Sequence, residues 1–418
     1  MSFVTEPGPV PPVVESDALL EAEPAATHNP IPGVASANLH RFLLFTDRLG
    51  RLPTIALVVY LLALTVLVAL VWSAVTESPG VGIPVSLSFL SFAAFDWVFL
   101  ALLPRRHRSY GPVAPMLLGF GGLRAAFNIV PVFLPLDPLW IGTLVSFINF
   151  TLTAFLSDVL WGEPFRLTLT KLTIRSARLR GAPPLRVLHL SDLHMERSSK
   201  REAELLKWLS ELRPDVILYT GDLLNFSYLD DELARTECVS FLRQLSAPLG
   251  VYAVPGTPLV DRPDILAAIR PRVPHIRWLH NETIELEGYP QVQIIGLTCT
   301  HDPALDRPHL DRLCAALPRD KFRLLLYHSP DLMPEAVQAQ IDLYLCGHTH
   351  GGQVRLPLYG ALVTSSMYGK RYDMGRYLEG HTTLYVSRGL GMEGKGAPRM
   401  RFLCPPEVTL FELRGDAM

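Results

Sequence analysis

The sequence predicts an α-helical transmembrane bundle of about four spans, followed by an α/β domain with two packed sheets. Three observations lead to this fold class. The mean hydropathy of +0.24 is high for a soluble enzyme. Residues 55–75 carry no charge and match the roughly 20 residues that a bilayer-crossing helix needs. Beyond about residue 183, short apolar runs alternate with amphipathic segments.

The first segment, residues 1–38, is rich in Pro, Ala and Glu and lacks both helical and strand periodicity. We expect a disordered acidic tail there.

The whole chain has a formal net charge of -2, which indicates no nucleic-acid partner. Its five cysteines lie far apart and predict reduced thiols in the core.

The transmembrane region is expected over residues 39–163, because three more apolar stretches follow the first, at 82–103, 112–134 and 138–160. Arginines precede the first stretch, separate the second from the third and follow the fourth, whereas the two other loops have no Lys or Arg. The positive-inside rule then predicts a multi-pass protein of the cell (inner) membrane, with both termini in the cytoplasm.

Two ionisable residues, Asp96 and Arg124, fall within the second and third stretches. Such residues suggest an ion path or a structural ion pair. Counted from the shared loop, their depths differ by only about 6 Å. We therefore favour an ion pair that holds the bundle together.

The α/β domain is expected over residues 164–418. A charged helix from Lys200 to Leu212 separates two of its apolar runs. These runs predict enough strands for two packed sheets: LRVLHL, DVILYTG, GVYAVPG, QVQIIGL, FRLLLYH, DLYLCG, TTLYVS and EVTLFEL.

Potential metal ligands follow directly after several of these strands. Because strand ends converge at one edge of a sheet, remote residues can meet in one crevice. The candidate ligands are Asp192, His194, Asp222, His328, His348 and His350. Mixed nitrogen and oxygen ligands suit two divalent ions of the Mn, Fe or Zn class, and such pairs hydrolyse phosphate esters. Asp222 is the candidate for the bridging carboxylate.

The order D-x-H, GD, VPG, a lone His and GHTHGGQ resembles the calcineurin-like metallophosphoesterases, and in particular their membrane-associated bacterial branch. The resemblance runs from about Leu185 to Leu413. It implies an α/β sandwich of four layers, helix, sheet, sheet and helix, hydrolysis by a metal-bridging hydroxide, and Asp222 and His194 as catalytic residues. It also implies one metal on Asp192, His194, Asp222 and His350, and another on Asp222, His328 and His348.

One motif departs from the family. Where the family has Gly-Asn-His, this chain has Gly256, Thr257 and Pro258. Thr257 is therefore a weak or lost ligand, and we expect a weakened second metal site. Without the histidine, a general-acid contribution of roughly 10²- to 10⁴-fold in rate is also lost.

Several residues keep two interpretations. Asp261, His301 and Asp302 could approach the site, although such loop residues are more often solvated. Asn225 could orient a ligand or begin a helix, and Gln353 could add a hydrogen bond. Gly351 and Gly352 are expected to form a tight turn beside the metals. The basic residues Lys370, Arg371 and Arg376 could bind a phosphate, but a solvated face is favoured.

The leading hypothesis is a phosphoesterase held at the bilayer, acting on a phosphorylated small molecule or a lipid-linked phosphate or diphosphate. The competing hypothesis is a weakened or inactive protein that binds a phosphorylated ligand as a sensor. The sequence predicts no oligomeric state.

Overall fold

The computed structural model describes residues 20–21, 45–135, 137–395 and 399–416. The chain divides into a helical unit, residues 37–164 and 393–401, and an α/β unit, residues 1–36, 165–392 and 402–418. The predicted tail lies outside the described residues except for Leu20–Glu21. These two residues form a short strand, β1, that the sequence analysis did not predict.

The helical unit contains four helices that are long and apolar enough to cross a membrane. They are α1 (Thr54–Val75), α2 (Pro79–Leu102), α3 (Val113–Ile129) and α4 (Pro138–Ser157). Large apolar side chains such as Val59 and Phe147 point outward, while Asp96 and Arg124 are buried. Apolar outside and polar inside is the distribution that a lipid-facing bundle requires.

The predicted ion pair within the bundle is confirmed. Nη2 of Arg124 lies 2.5 Å from Oδ2 of Asp96. Nη1 of Arg124 donates to the side-chain oxygen of Asn149 at 2.8 Å, and Nη2 donates to the hydroxyl of Thr153 at 2.7 Å. That hydroxyl in turn donates to Asp96. Since each buried charge has several partners, the network stabilises one arrangement of the helices.

A short segment near the C-terminus, residues 393–401, groups with these helices. The backbone N–H of Arg401 donates to the carbonyl of Val159 at 3.0 Å. The side chain of Arg399 packs against Gly111, where an added Cβ would lie 3.0 Å from it. The sequence analysis had included this segment in the α/β domain.

The α/β unit contains two large sheets. The first has the order β2-β15-β3-β4-β5-β6, with β2 (Thr168–Ser176), β3 (Leu185–Leu190), β4 (Val216–Tyr219), β5 (Val251–Ala253), β6 (Ile276–Trp278) and β15 (Glu407–Gly415). The second has the order β1-β13-β14-β10-β9-β8-β7, with β7 (Glu282–Leu286), β8 (Tyr289–Gly296), β9 (Phe322–Leu326), β10 (Leu343–Cys346), β13 (Gly375–Glu379) and β14 (Thr382–Val386). A small hairpin joins β11 (Arg355–Leu356) to β12 (Gly360–Ala361).

Helices cover the outer face of each sheet, which confirms the predicted four layers. The first sheet packs against α5 (Lys200–Leu212), α6 (Glu232–Leu242) and α7 (Pro263–Ile269), and the second against α8 (Pro303–Ala315) and α9 (Met333–Gln338). Inner-face residues such as Val187, Leu218 and Leu324 form one buried core between the sheets. Such burial on both faces explains why the strands read as continuous apolar runs.

Helix α5 shows how local sequence sets these boundaries. It begins after Ser199, whose side chain and that of Glu202 form a capping box. This reciprocal arrangement satisfies N–H groups that a helix start leaves without partners. The five cysteines are buried and remain thiols, as predicted.

Candidate metal centre

The six candidate ligands lie after four strands, two from each sheet. Asp192 and His194 follow β3, and Asp222 follows β4. In the second sheet, His328 follows β9, while His348 and His350 follow β10. The structure therefore brings these residues together as the strand-end argument expected, although they span two sheets rather than one.

Short distances join the side chains. Oδ2 of Asp222 lies 3.2 Å from Nε2 of His328 and 3.5 Å from Nε2 of His194. Nε2 of His194 and Nε2 of His350 are 3.0 Å apart, and Nε2 of His350 is 3.7 Å from Oδ1 of Asp192. Asp222 thus lies between the two histidine sets, the position that a bridging carboxylate would occupy.

Ligand atoms form three groups in which all atoms lie within 4.8 Å of one another. The first group is Asp192, His194 and His350, the second is Asp192, Asp222 and His328, and the third is His301, His328 and His348. Imidazole nitrogens and carboxylate oxygens are the ligands that Mn, Fe and Zn accept. The donor set therefore fits divalent ions, and His301 is the one member of these groups that the sequence analysis did not name as a ligand.

Unusual backbone conformations concentrate at these positions. Five of the six predicted ligands have positive φ: Asp192 (49°), His194 (40°), Asp222 (60°), His348 (72°) and His350 (51°). Residues other than glycine adopt this conformation in only a few per cent of cases, and strained backbone of this kind clusters at functional sites. The fold therefore imposes strain on the backbone to direct these side chains into the crevice.

Tight packing against glycine holds the two carboxylates. A Cβ on Gly256 would lie 2.2 Å from Oδ1 of Asp222. A Cβ on Gly347 or Gly389 would collide with Asp192. Three loops thus press their backbones onto the two aspartates, which explains the glycines beside the motifs.

Electrostatics couple His328 to Asp222. Burial opposes charge on both side chains, but the Asp222 carboxylate overcomes this and raises the pKa of His328 to about 10. The His328 and His194 charges likewise hold the pKa of Asp222 below its usual range despite burial. Nδ1 of His328 lies 2.7 Å from the carbonyl of Thr220, to which it donates. That bond aims Nε2 at Asp222, an orientation typical of metal-ligating histidine.

The altered motif also reaches the site. The Thr257 hydroxyl lies 3.2 Å from Oδ2 of Asp222 and 3.1 Å from Nε2 of His328, while the Thr257 N–H donates to Oδ1 of Asp222 at 2.7 Å. Pro258 is exposed. A hydroxyl therefore stands where the family has an amide, and Pro258 supplies no proton donor.

The expectation of solvated loop residues is wrong for Asp261. Its carboxylate is buried and accepts from the backbone N–H groups of Asp222, Leu223 and Gly256 at 2.8–2.9 Å. Burial and the charge of Asp222 raise the pKa of Asp261 to about 6. Asp261 thus fixes the backbone beside the site without offering a ligand to it.

The expectation of a solvated loop residue is correct for Asp302, which is exposed and caps α8. It is wrong for His301, whose Nε2 lies 3.4 Å from the Thr257 hydroxyl and whose ring centroid is 4.4 Å from that of His348. Burial, together with the charge of His328, lowers the pKa of His301 to about 4. The sequence analysis did not name His301 as a ligand, because His301 lies five residues beyond the end of β8 and so does not follow its strand directly.

The remaining candidates surround the centre. The amide of Asn225 donates to Oε1 of Glu196 at 2.7 Å and to the carbonyl of Met392 at 2.9 Å, and Asn225 does not begin a helix. Gln353 uses its backbone carbonyl to accept from Phe402 at 2.9 Å. Both residues therefore connect loops around the site.

The glycines of the GHTHGGQ motif behave as expected. Gly351 and Gly352 have φ of 59° and 81°, which forms the tight turn. The basic residues nearby have protein partners, since Arg371 pairs with Glu379 and Nζ of Lys370 lies 3.3 Å from the ring centroid of Tyr359. The interpretation as a surface basic face therefore fits both residues.

Comparison with known proteins gives consistent matches. The family model described as calcineurin-like phosphoesterase matches residues 185–256, so it ends just before Thr257 and Pro258. The metallophosphoesterase YkuE of Bacillus subtilis is 30% identical over 260 residues, 60% of this chain and 87% of the relative. The phosphodiesterase YaeI of Escherichia coli is 30% identical over 241 residues, covering 56% and 83%. The UDP-2,3-diacylglucosamine pyrophosphatase LpxG of Chlamydia muridarum is 25% identical over 313 residues, covering 60% and 90%.

Proposed function

Because this chain belongs to the calcineurin-like metallophosphoesterases, hydrolases that act on phosphoric ester bonds, we propose that it hydrolyses a phosphate ester in the crevice around Asp222. The observation that carries the proposal is the cluster of buried and half-buried histidine and aspartate side chains, whose ligand atoms form three groups, each with its members within 4.8 Å of one another. A structural role alone does not require so many strained, buried titratable residues at one edge.

We assign one divalent ion to Asp192, His194, Asp222 and His350, and a second to Asp222, His328 and His348. When bound, two such ions activate water at neutral pH and offset the charge of the phosphoryl oxygens. Asp222 would contact both ions, while Asp261 holds its backbone and Thr257 donates to its carboxylate. His328 is oriented by the carbonyl of Thr220.

The altered motif favours a particular kind of leaving group. Pro258 cannot donate a proton, so esters whose leaving oxygen must be protonated are cleaved slowly. A phosphate group departing from a diphosphate, or an aryl oxide, leaves without that proton. A diphosphate is therefore a better substrate for this site than an alkyl ester.

We further propose that the four apolar helices anchor the protein in the cell membrane, with the α/β unit in the cytoplasm. The helix lengths support the anchoring, and the positions of the loop arginines support the orientation. Protease treatment of spheroplasts tests it. The α/β unit should stay intact until the membrane is permeabilised, whereas cleavage in intact spheroplasts would refute the orientation.

A lipid-linked substrate is supported by the exposed apolar residues of the β11–β12 hairpin and of the two positions after it, residues 356–363. Leu358 is fully exposed, and Tyr359, Leu362 and Val363 are each at least 46% exposed. The hairpin directly follows the GHTHGGQ motif, and the ammonium of Lys370 sits over the Tyr359 ring. An apolar tip beside a basic residue suits the interface of an anionic bilayer. The name of the chlamydial relative also specifies an acylated diphosphate.

The test uses the full chain in lipid nanodiscs with Mn²⁺ and two substrates, an aryl phosphodiester and an acylated nucleotide-diphosphate sugar. We expect turnover of both, and its loss in Asp222→Ala. Turnover that survives Asp222→Ala would refute the metal-site proposal.

The hairpin is tested by the double variant Leu358→Ser, Tyr359→Ser, with Leu305→Ser as control, because Leu305 is 60% exposed on α8. The double variant should lose at least fivefold on the acylated substrate and keep its rate on the aryl ester. Equal effects on both substrates would argue against a lipid contact.

The competing sensor function is favoured by one observation, the Thr257 and Pro258 pair. A sensor would bind the phosphorylated ligand with negligible turnover. If the native chain is inactive and the variant Thr257→Asn, Pro258→His turns over the aryl ester, the sensor function replaces the enzymatic one.

A further inference from the structure

The second metal site has lost an expected ligand, and another side chain lies where a replacement is needed. The Thr257 hydroxyl is a poorer neutral ligand than the amide oxygen that the family has at this position. His301 approaches the same place from a different segment, the loop between β8 and α8. Its Nε2 lies 3.4 Å from the Thr257 hydroxyl.

The three histidines around this place form a compact set. The ring of His301 is 4.4 Å from that of His348 and 6.0 Å from that of His328, measured between centroids. One ligand nitrogen from each of the three lies within 4.8 Å of the others. Three imidazoles with Asp222 make a donor set that binds Mn, Fe or Zn.

The loop directs His301 into the site and holds it there. His301 has φ of 62°, the conformation shared by five of the predicted ligands. Its neighbour Thr300 donates its N–H to Oδ2 of Asp306 at 2.9 Å, and that carboxylate also accepts from the hydroxyl of Tyr327 at 2.6 Å. The fold therefore maintains a strained backbone at His301 with a buried anchor.

The second nitrogen of His301 is also occupied. Nδ1 lies 3.7 Å from Sγ of the buried Cys299, within the range of a weak hydrogen bond to sulfur. The contact sets the ring so that Nε2 faces Thr257 and the site. Metal-ligating histidines commonly use one nitrogen for a partner and the other for the ion.

We propose that His301 is a ligand of the second metal ion, in place of the asparagine that the family has after Gly256. The site then has Asp222, His301, His328 and His348 as ligands, with the Thr257 hydroxyl beside them. This inference rests on the proposed function for the presence of metal, and it predicts a full second site in place of the weakened one that the altered motif alone suggested.

The test counts metal ions rather than activity alone. The full chain in nanodiscs is stripped of metal and titrated with Mn²⁺ by calorimetry, and bound Mn²⁺ is counted after desalting. We expect two ions per native chain, and one in His301→Ala, with the second binding step weakened at least tenfold. The control is His309→Ala, because His309 is exposed on α8 nearby and should leave both steps unchanged.

A second variant, His301→Asn, distinguishes loss of a ligand from loss of folding, because it offers an amide oxygen like that of the family residue. It should recover part of the second binding step. Two tightly bound ions in His301→Ala would overturn the proposal, and so would a single ion in the native chain. If the native chain binds two ions but cleaves no phosphate ester, the proposed function fails while the ligand assignment stands.

Discussion

Replacing Gly256 with alanine tests whether close packing positions Asp222. The added Cβ would lie 2.2 Å from both the backbone N and Oδ1 of Asp222, although ordinary contact begins at 3.4 Å. Either the backbone at position 256 or Asp222 must therefore move by about 1.2 Å. The backbones of Gly256 and Asp222 both donate to Asp261, so separating them breaks one of these bonds.

The expected cost has two parts. Overpacking costs about 1–3 kcal/mol, and loss of a hydrogen bond to a charged group costs about 1.5–3 kcal/mol. We expect Gly256→Ala to lower the free energy of unfolding by about 2.5–6 kcal/mol. Turnover should fall about 100-fold, since a 1 Å misplacement of a catalytic group has about that effect.

The assay is urea unfolding of the full chain in detergent, together with Mn²⁺ titration and aryl ester turnover. The control is Gly288→Ala, at a hairpin turn with φ of 75° and no atom within 4 Å of the added Cβ. The control should lose about 1–2 kcal/mol to backbone strain and keep its Mn²⁺ affinity. If Gly256→Ala binds Mn²⁺ and turns over like the native chain, the positioning argument is refuted.

Three further predictions concern other parts of the molecule. Arg124→Met leaves Asp96 buried without its partner and should destabilise the helical unit by about 3 kcal/mol in thermal melts. The double variant Asp96→Leu, Arg124→Met should recover this stability. If the single variant loses no stability, the structural role of the ion pair is contradicted. His189 is fully buried, which lowers its pKa to about 3, so the unfolded chain takes up a proton below pH 6.5 that the folded chain does not. Stability should therefore be full above pH 6.5 and lower by about 2 kcal/mol at pH 5, whereas His189→Asn should lack this part of the pH dependence in urea titrations. Mn²⁺ at 100 times its Kd should stabilise the native chain by about 2.7 kcal/mol. EDTA should reverse this effect, and Asp222→Ala should lack it. Equal stabilisation of Asp222→Ala would place the ions elsewhere.

Much of the fold was predictable because each element has a local signature. The run from Ile55 to Val75 is uncharged and long, and the strands end abruptly in polar residues. The helix from Lys200 to Leu212 has the predicted bounds, because a capping box and an amphipathic pattern define it. The convergence of the six candidate ligands followed from the rule that strand ends share an edge.

Other features depend on contacts that sequence spacing does not reveal. Asp261 acts through the backbone N–H groups of residues 39 and 38 positions earlier in the chain. His301 reaches the site because its loop is anchored to the buried Asp306, a long-range arrangement without a local motif. Residues 393–401 group with the helices although they lie far from them in sequence. In each case tertiary packing, rather than local propensity, determines the position.

The place of β15 in the first sheet has a consequence for biosynthesis. This strand lies between β2 and β3, pairing parallel with the former and antiparallel with the latter. The loop that carries Asp192 and His194 leaves β3, so its supporting sheet stays split until residue 415 has emerged from the ribosome. Individual α/β segments can form early in synthesis, but the sheet that supports this loop is complete only after translation has passed β15. Premature termination before Glu407 should therefore leave β3 with β4 as its one sheet neighbour and make the product a substrate for quality-control proteases.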